Sequence, residues 1–385
     1  MVVTAAWRVV LAVWGVVAHG MVAGGPYARA SLVHHGWPAT PLTYLVDAGV
    51  RMDGFWYATI AKHGYNFNTH HPSSIVFFPL FPLLIKILAP ALGNVYVAGV
   101  VIPTIALFLS VWALQVWLDA RGAGEKSALT TALILCYPFG FFWASMYTES
   151  LFLLLALTTF ILFERGRWEL AAACAFLAVL CRPTGLILAP CLALMLILQS
   201  PPQWLSMRAA MTRSRRLSLP ALPFERSKSG VRPWLAVAAG PLAYVCFMAY
   251  QWAQFGTPLA MIEADRVPPF RRDLSQGLSD LLLRQPGFPP WYLAALLVIG
   301  LVFLVAVPFV YRRFGAPYAL FAALVVLFPM STGLVSLERY VMVDFPAFAV
   351  LACVRKPMIP VTVAVFGFYA LLGFMTMFIA GYTLI

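Results

Sequence analysis

Long apolar runs fill the chain, at about 5–25, 95–118, 127–145, 148–163, 168–181, 184–199, 233–253, 291–311, 316–334, 340–354 and 357–381. None alternates with the period of a strand. A spanning helix needs roughly 20 apolar residues. In lipid every backbone amide must be paired within the chain, which leaves helices or a closed barrel. Continuous runs select helices. The pattern predicts about eleven spans, several short enough to tilt or to thin the bilayer. The stretch from Phe77 to Leu92 differs, because Pro79, Pro82, Pro90 and the charged Lys86 interrupt it. Proline lacks the helix donor, so this stretch is expected to be an interfacial helix and not a span.

Charge fixes the orientation. With Phe77–Leu92 in the interface, Arg121/Lys126, Arg165/Arg167, Arg312/Arg313, Arg355/Lys356 and the basic stretch 200–232 all share one side. Lys and Arg accumulate in cytoplasmic loops. A spanning Phe77–Leu92 would turn those loops outward. The expected arrangement therefore has loops 26–92 and 254–290 outside. The Ser-, Pro- and Arg-rich stretch 200–232 becomes a cytoplasmic linker between an N-terminal module, 1–199, and a C-terminal module, 233–385. The first run carries only Arg8 ahead of its core and many runs follow it, so it is taken as a span and not as a signal peptide.

Composition agrees. The 385 residues are 62% hydrophobic and 10% charged, against about 25% charged in soluble domains. The solvent must be lipid. A net charge of +12 fits cytoplasmic loops facing anionic lipid. No basic stripe with interleaved aromatics points to nucleic acid. Six cysteines lie in or beside apolar runs without a CxxC pair, as small buried hydrophobes do.

This topology gathers polar clusters on the outer side. The first loop carries Asp47, Arg51, Asp53, Lys62 and His63; then come Tyr147-Thr148-Glu149-Ser150, Arg182-Pro183-Thr184-Gly185 and Ser336-Leu337-Glu338-Arg339-Tyr340. The loop 254–290 adds Glu263, Asp265, Arg266, Arg271 and Arg272. Ionisable groups at membrane depth are costly and usually functional. Each cluster alone also suits an ordinary helix end; their convergence on one side is informative. Asp53 precedes Phe55, Trp56 and Tyr57, rings suited to headgroup depth. It also suits a helix N-terminus, with Gly64 ending that helix. His63, His70 and His71 match no zinc spacing. No metal and no other cofactor is expected; Asp47, Asp53 and these histidines are the alternative ligand set.

The clusters resemble the PIG-V (GPI mannosyltransferase II) family, in its prokaryotic form. The matching residues are Arg51-Met52-Asp53-Gly54-Phe55-Trp56-Tyr57 with Ala61-Lys62-His63-Gly64-Tyr65, and Phe77-Phe78-Pro79-Leu80-Phe81-Pro82. Then follow Tyr147-Thr148-Glu149-Ser150-Leu151-Phe152, Arg182-Pro183-Thr184-Gly185, Phe255-Gly256-Thr257-Pro258, and Arg339-Tyr340 with Phe345-Pro346. The set runs in the family's order over about 47–348. Each motif is short; the ordered set is the specific signal. Met52 departs from the family's usual Trp.

The resemblance implies an all-α polytopic GT-C glycosyltransferase fold, with an aspartate and interfacial helices in the first outer loop. The implied donor is a polyprenyl-phosphate sugar, such as polyprenyl-phosphate mannose, and the acceptor a glycan or glycolipid. The reaction takes place outside a prokaryotic plasma membrane, or in the endoplasmic reticulum of a eukaryote. A lipid phosphate is already a stable leaving group, so one carboxylate base is enough, unlike the pair in a hydrolase. Asp53 is the candidate base. Arg182 and Arg339 are the candidate phosphate clamp, since Arg binds phosphate bidentately. Glu149, Tyr147, Glu338, Arg51 and His63 are candidates for orienting the acceptor. Single displacement predicts inversion. The rival is a transporter or lipid flippase, which would bury charges in mid-span and carry repeats; no internal repeat is visible.

Overall fold

The computed structural model describes residues 1–22, 31–33, 36–199, 230–267, 289–331 and 333–381. Nearly all of the 200–232 stretch lies outside the described residues. So do Arg271 and Arg272, and part of the loop that begins at residue 26. The described helices are α1 (Val2–Val22), α2 (Pro41–Asp47), α3 (Asp53–His63), α4 (Leu80–Leu92), α5 (Val95–Asp119), α6 (Ser127–Leu135), α7 (Glu149–Glu164) and α8 (Trp168–Cys181). There follow α9 (Leu188–Gln199), α10 (Arg232–Phe255), α11 (Ala260–Asp265), α12 (Pro290–Phe314), α13 (Ala316–Met330), α14 (Leu337–Tyr340), α15 (Phe345–Ala352) and α16 (Met358–Ile379). No strand occurs among the described residues.

Five of these helices, α1, α5, α10, α12 and α16, are long and apolar enough to cross a membrane. The runs at α7, α8, α9 and α13 give helices of 16, 14, 12 and 15 residues. At 1.5 Å per residue they reach about 18–24 Å, short of a hydrocarbon core of about 30 Å. Two runs expected as single spans are broken. The run 127–145 stops being α-helical at Leu135 and resumes as a 3₁₀ segment, Gly140–Ala144. Pro138, in the gap, has no N–H to continue the ladder. The run 340–354 divides into the end of α14, a 3₁₀ turn at Val341–Val343, and α15. There the Asp344 side chain accepts from the Ala347 amide at 3.2 Å and starts a new helix. Within the Phe77–Leu92 stretch, Leu80–Leu92 forms the 13-residue α4, ended by Gly93 at φ 78°.

The helices pack mainly as α8 on α10, α5 on α7, α7 on α8, α12 on α13 and α1 on α16. Trp117, Trp143, Phe160, Phe321 and Phe345 are fully buried between them. Val9, Val13 and Val17 of α1, Leu242 and Val245 of α10, Val298 and Val305 of α12, and Phe366 of α16 are exposed. Such exposure suits lipid contact and not water.

Two polar knots brace the bundle. At one, Arg121 donates to Glu164 Oε1 and to the Tyr318 hydroxyl, both at 2.5 Å, and its guanidinium lies 4.3 Å from the Trp117 ring. This ties the end of α5 to the end of α7 and the start of α13. The other end of α7, about 24 Å away by helix rise, begins with Glu149. In the second knot the Asp47 carboxylate is fully buried. It accepts from Arg51 at 2.8 and 2.9 Å, from the Leu32 amide at 2.7 Å, from the Ser31 hydroxyl at 3.0 Å, and pairs with His19. Arg51 also donates to the Ile379 carbonyl at 3.2 Å. The knot joins α1, α2 and the end of α16.

Candidate active site

Four ionisable side chains from four helix ends meet in one place. Asp53 is the first residue of α3 and Glu149 the first of α7. Carboxylates are favoured there by the helix dipole. Arg182 directly follows α8, and Arg339 sits on the single turn α14. Arg339 Nη1 donates to Asp53 Oδ2 at 2.9 Å, and its Nε donates to Glu149 Oε1 at 3.1 Å. Arg182 Nη1 donates to the same Glu149 oxygen at 3.0 Å. The partners lie 286, 190 and 33 residues apart in the chain. Asp53, Glu149 and Arg182 precede the 200–232 stretch and Arg339 follows it, so both halves of the chain build the site.

Local sequence explains how each group is aimed. Met52 (φ 46°) and Ser336 (φ 69°) are the two non-glycine residues with positive φ among the described residues. One adjoins Asp53; the other opens α14. Side chains rarely adopt this region, and such outliers concentrate at functional sites. In Arg182-Pro183-Thr184-Gly185, Pro183 opens a 3₁₀ turn that folds back on α8. A Cβ on Gly185 would meet the Ala178 backbone at 2.6 Å, so this close approach requires glycine.

Aromatic rings wall the cluster. The Arg339 guanidinium lies 4.7 Å from the Tyr147 ring and 5.3 Å from Phe142; that of Arg182 lies 4.6 Å from Tyr340. These are cation–π distances. The Tyr147 hydroxyl donates to the Arg51 carbonyl at 3.2 Å, beside Met52. Glu149, Arg182 and Arg339 are buried, while the Asp53 side chain keeps 24% exposure. Burial works against the charge on Arg339, but the carboxylates of Glu149 and Asp53 outweigh it and hold its pKa above the ordinary arginine value. Two carboxylates and two guanidiniums balance in charge. The described contacts occupy two of the five N–H groups of Arg339 and one of those of Arg182. The remaining donors suit an anion, and Asp53, the most exposed member, suits a proton-accepting role.

The chain as a whole is similar in structure to solved forms of an archaeal oligosaccharyltransferase. It aligns with the apo form of the Archaeoglobus fulgidus enzyme at 13% identity and TM-score 0.49, covering 98% of this chain and 56% of that one. With the same organism's enzyme AglB, bound to an inhibitory peptide and a dolichol-phosphate, the values are 13% and 0.44, covering 97% and 55%. The chain thus spans about half the length of the solved structures it matches. Values this low do not establish a shared chemistry. No family model and no curated protein matches the sequence.

Of the residues singled out from sequence, Asp53, Glu149, Arg182, Arg339 and Tyr147 lie together. Glu338 is fully buried next to them. Arg51 and His63 do not join the side-chain cluster. Arg51 is spent on Asp47 and on backbone carbonyls. His63 is exposed at the far end of α3, ten residues and about 15 Å of helix from Asp53. Asp47, the competing carboxylate, is saturated by hydrogen bonds. Burial alone would raise its pKa; bonds from His19 and Arg51, with the Arg51 charge, hold it well below the ordinary range. Among the described residues no three His, Cys, Asp or Glu side chains are grouped as metal ligands.

Sequence reasoning missed Phe142 and Tyr137, and it named Tyr57 and Tyr340 only as an interfacial ring and a motif neighbour, without a place in the site. Tyr57 is buried and interacts electrostatically with all four charges. Its signal was present, because it stands four residues after Asp53 on α3 and so shares its face. Phe142 and Tyr137 lie in the broken 127–145 run, where periodicity gave no cue.

Proposed function

We propose that this chain is a membrane glycosyltransferase of GT-C type, related to the PIG-V mannosyltransferases. It moves a mannosyl or other hexosyl residue from a polyprenyl-phosphate sugar to a glycan or glycolipid acceptor. The observation that carries this reading is the joining of Asp53, Glu149, Arg182 and Arg339 through three charge-assisted hydrogen bonds. A lipid phosphate needs a cationic clamp, and an acceptor hydroxyl needs one base. The cluster contains both.

In the proposed reaction the acceptor oxygen attacks C1 of the donor sugar. Its proton passes to Asp53 as the new C–O bond forms. The C1–phosphate bond breaks on the opposite face, and its electron pair leaves with the lipid phosphate. Arg182 and Arg339 take up the developing charge. Glu149 holds the two guanidiniums at a common carboxylate oxygen and so fixes their spacing; Tyr147 packs beneath Arg339. The configuration at C1 inverts. Charges gathered at helix ends, and not in mid-span, favour a transferase over a transporter. Incubating purified protein with polyprenyl-phosphate mannose and a panel of acceptors is the test. Turnover to an α-linked product from a β-linked donor is expected; no transfer to any acceptor with the donor bound would sink the reading.

The proposal includes a topology. Loops 26–92 and 254–290, with the cluster, face the extracytoplasmic side of a prokaryotic plasma membrane, and 200–232 faces the cytoplasm. The N-terminal module, 1–199, then supplies the base and one clamp arginine, and the C-terminal module, 233–385, the other. In a Cys-free variant, a single cysteine at position 214 is expected to resist an impermeant thiol reagent in intact cells and to react after lysis. Labelling from outside reverses the arrangement.

A further inference from the structure

Near Arg339, four buried side-chain atoms have no hydrogen-bond partner among the described residues: both carboxyl oxygens of Glu338, Glu149 Oε2 and the Tyr137 hydroxyl. Buried polar groups are nearly always paired, so four orphans in one neighbourhood call for a partner beyond the described residues. They do form one neighbourhood. Glu338 interacts electrostatically with Arg339, Glu149, Tyr137 and Tyr292, which reach it from α14, α7, the α6-to-Gly140 connection and α12.

The placement of Glu338 is built in. Ser336 adopts φ 69°, and its carbonyl accepts from the Arg339 amide at 3.0 Å. Leu337 packs against α12 where Gly300 leaves room; a Cβ there would lie 3.0 Å from Leu337 Cδ2. With Leu337 anchored on one side and Arg339 bonded on the other, Glu338 is held between them in the interior.

The chemistry of the orphans selects the ligand. The Glu149 carboxylate in this group repels phosphate, so the group is not an extension of the arginine clamp. The Arg339 cation beside it disfavours a metal ion. Burial raises the Glu338 pKa to about 8, against smaller opposing effects of its own backbone amide and Arg339. At neutral pH Glu338 is therefore protonated and offers both a donor and an acceptor. Tyr137 offers the same pair, and Glu149 Oε2 an acceptor. A ring bearing several hydroxyls has the matching mixture.

We propose that Glu338, Glu149 Oε2 and the Tyr137 hydroxyl form a subsite that hydrogen-bonds the hydroxyls of a sugar ring beside the Arg182–Arg339 clamp. This rests on the glycosyl-transfer reading and names what that site recognises. The ring belongs either to the donor or to the acceptor, and the test separates them.

Binding of polyprenyl phosphate and of polyprenyl-phosphate mannose is measured in detergent by thermal shift, together with KM for the acceptor. Glu338→Ala is expected to bind the sugar-free lipid as the parent does. It should weaken binding of the sugar-bearing lipid about tenfold if the subsite holds the donor ring, or raise acceptor KM by a similar factor if it holds the acceptor. Glu338→Gln should recover part of the loss. The parent should lose activity as pH rises through about 8, and the Gln variant, which cannot ionise, should lack that alkaline limb. An Ala variant with parental sugar-lipid binding and parental acceptor KM overturns the subsite alone. So does an alkaline limb unchanged in Glu338→Gln, which decides the matter if the Ala variant does not fold. A parent that binds neither lipid overturns the glycosyl-transfer reading, and the subsite with it.

Discussion

Asp53→Asn is expected to lower turnover about 10²–10⁴-fold, the usual contribution of a general base, while lipid-phosphate binding stays near parental. The substitution keeps the shape of the side chain and removes its ability to take a proton. Asp53 is partly exposed and bonded to one partner, Arg339, so the fold should survive. Asp47→Asn is the comparison. Asp47 is fully buried among Arg51, His19, Ser31 and the Leu32 amide, and neutralising it leaves Arg51 as an uncompensated buried charge. Breaking such a pair costs on the order of 3–5 kcal/mol. The Asp47 variant should therefore melt early in detergent, with near-parental turnover in whatever fraction remains folded. A folded, inactive Asp47→Asn beside an active Asp53→Asn would move the base to Asp47.

Arg339→Lys carries the second large effect. Arg339 reaches two carboxylates with two different N–H groups, Nε to Glu149 and Nη1 to Asp53. A lysine has one compact ammonium and cannot span both while also meeting a phosphate. At least one charge-assisted hydrogen bond is lost, worth about 1.5–3 kcal/mol, so kcat/KM should fall by roughly 10- to 150-fold. Arg182→Lys should be milder, because Arg182 makes a single contact with Glu149. Steady-state kinetics on both variants, with melting temperatures, checks this order. Parental kinetics in both would remove the arginines from donor binding; Arg182→Lys as the more damaging change would reverse the assigned division of labour.

The first-loop aspartates show where the sequence was informative and where it was not. Asp47 and Asp53 are six residues apart, carry the same charge and flank the same arginine. Sequence could rank them only through the Arg51-Met52-Asp53-Gly54 resemblance. Their environments differ because α2 ends at Asp47 against the interior faces of α1 and α16, whereas Asp53 begins α3 at the open end of the cluster. Arg51, offered as an acceptor-orienting residue, stands two residues before Asp53. It turns instead to Asp47, four residues back, where its guanidinium can satisfy both carboxylate oxygens.

By itself the sequence determined the helices. Apolar run length and proline position are local properties, and the pairing of backbone amides within a segment leaves one regular solution in lipid. The runs at α1, α5, α7, α8, α10 and α16 accordingly fall within a few residues of their helices. It also determined which charges are costly enough to matter. Tertiary structure alone decided which of them meet, because the contacts of Arg339 close loops of 190 and 286 residues that no local pattern encodes. It decided too that the Glu338 carboxyl meets no other side chain in a hydrogen bond among the described residues, while Glu149 serves two arginines. In sequence both are glutamates in polar clusters between apolar runs. Only the bonding of Glu149 to Arg182 and Arg339, and the packing of α14 on α12 around Glu338, set the two apart.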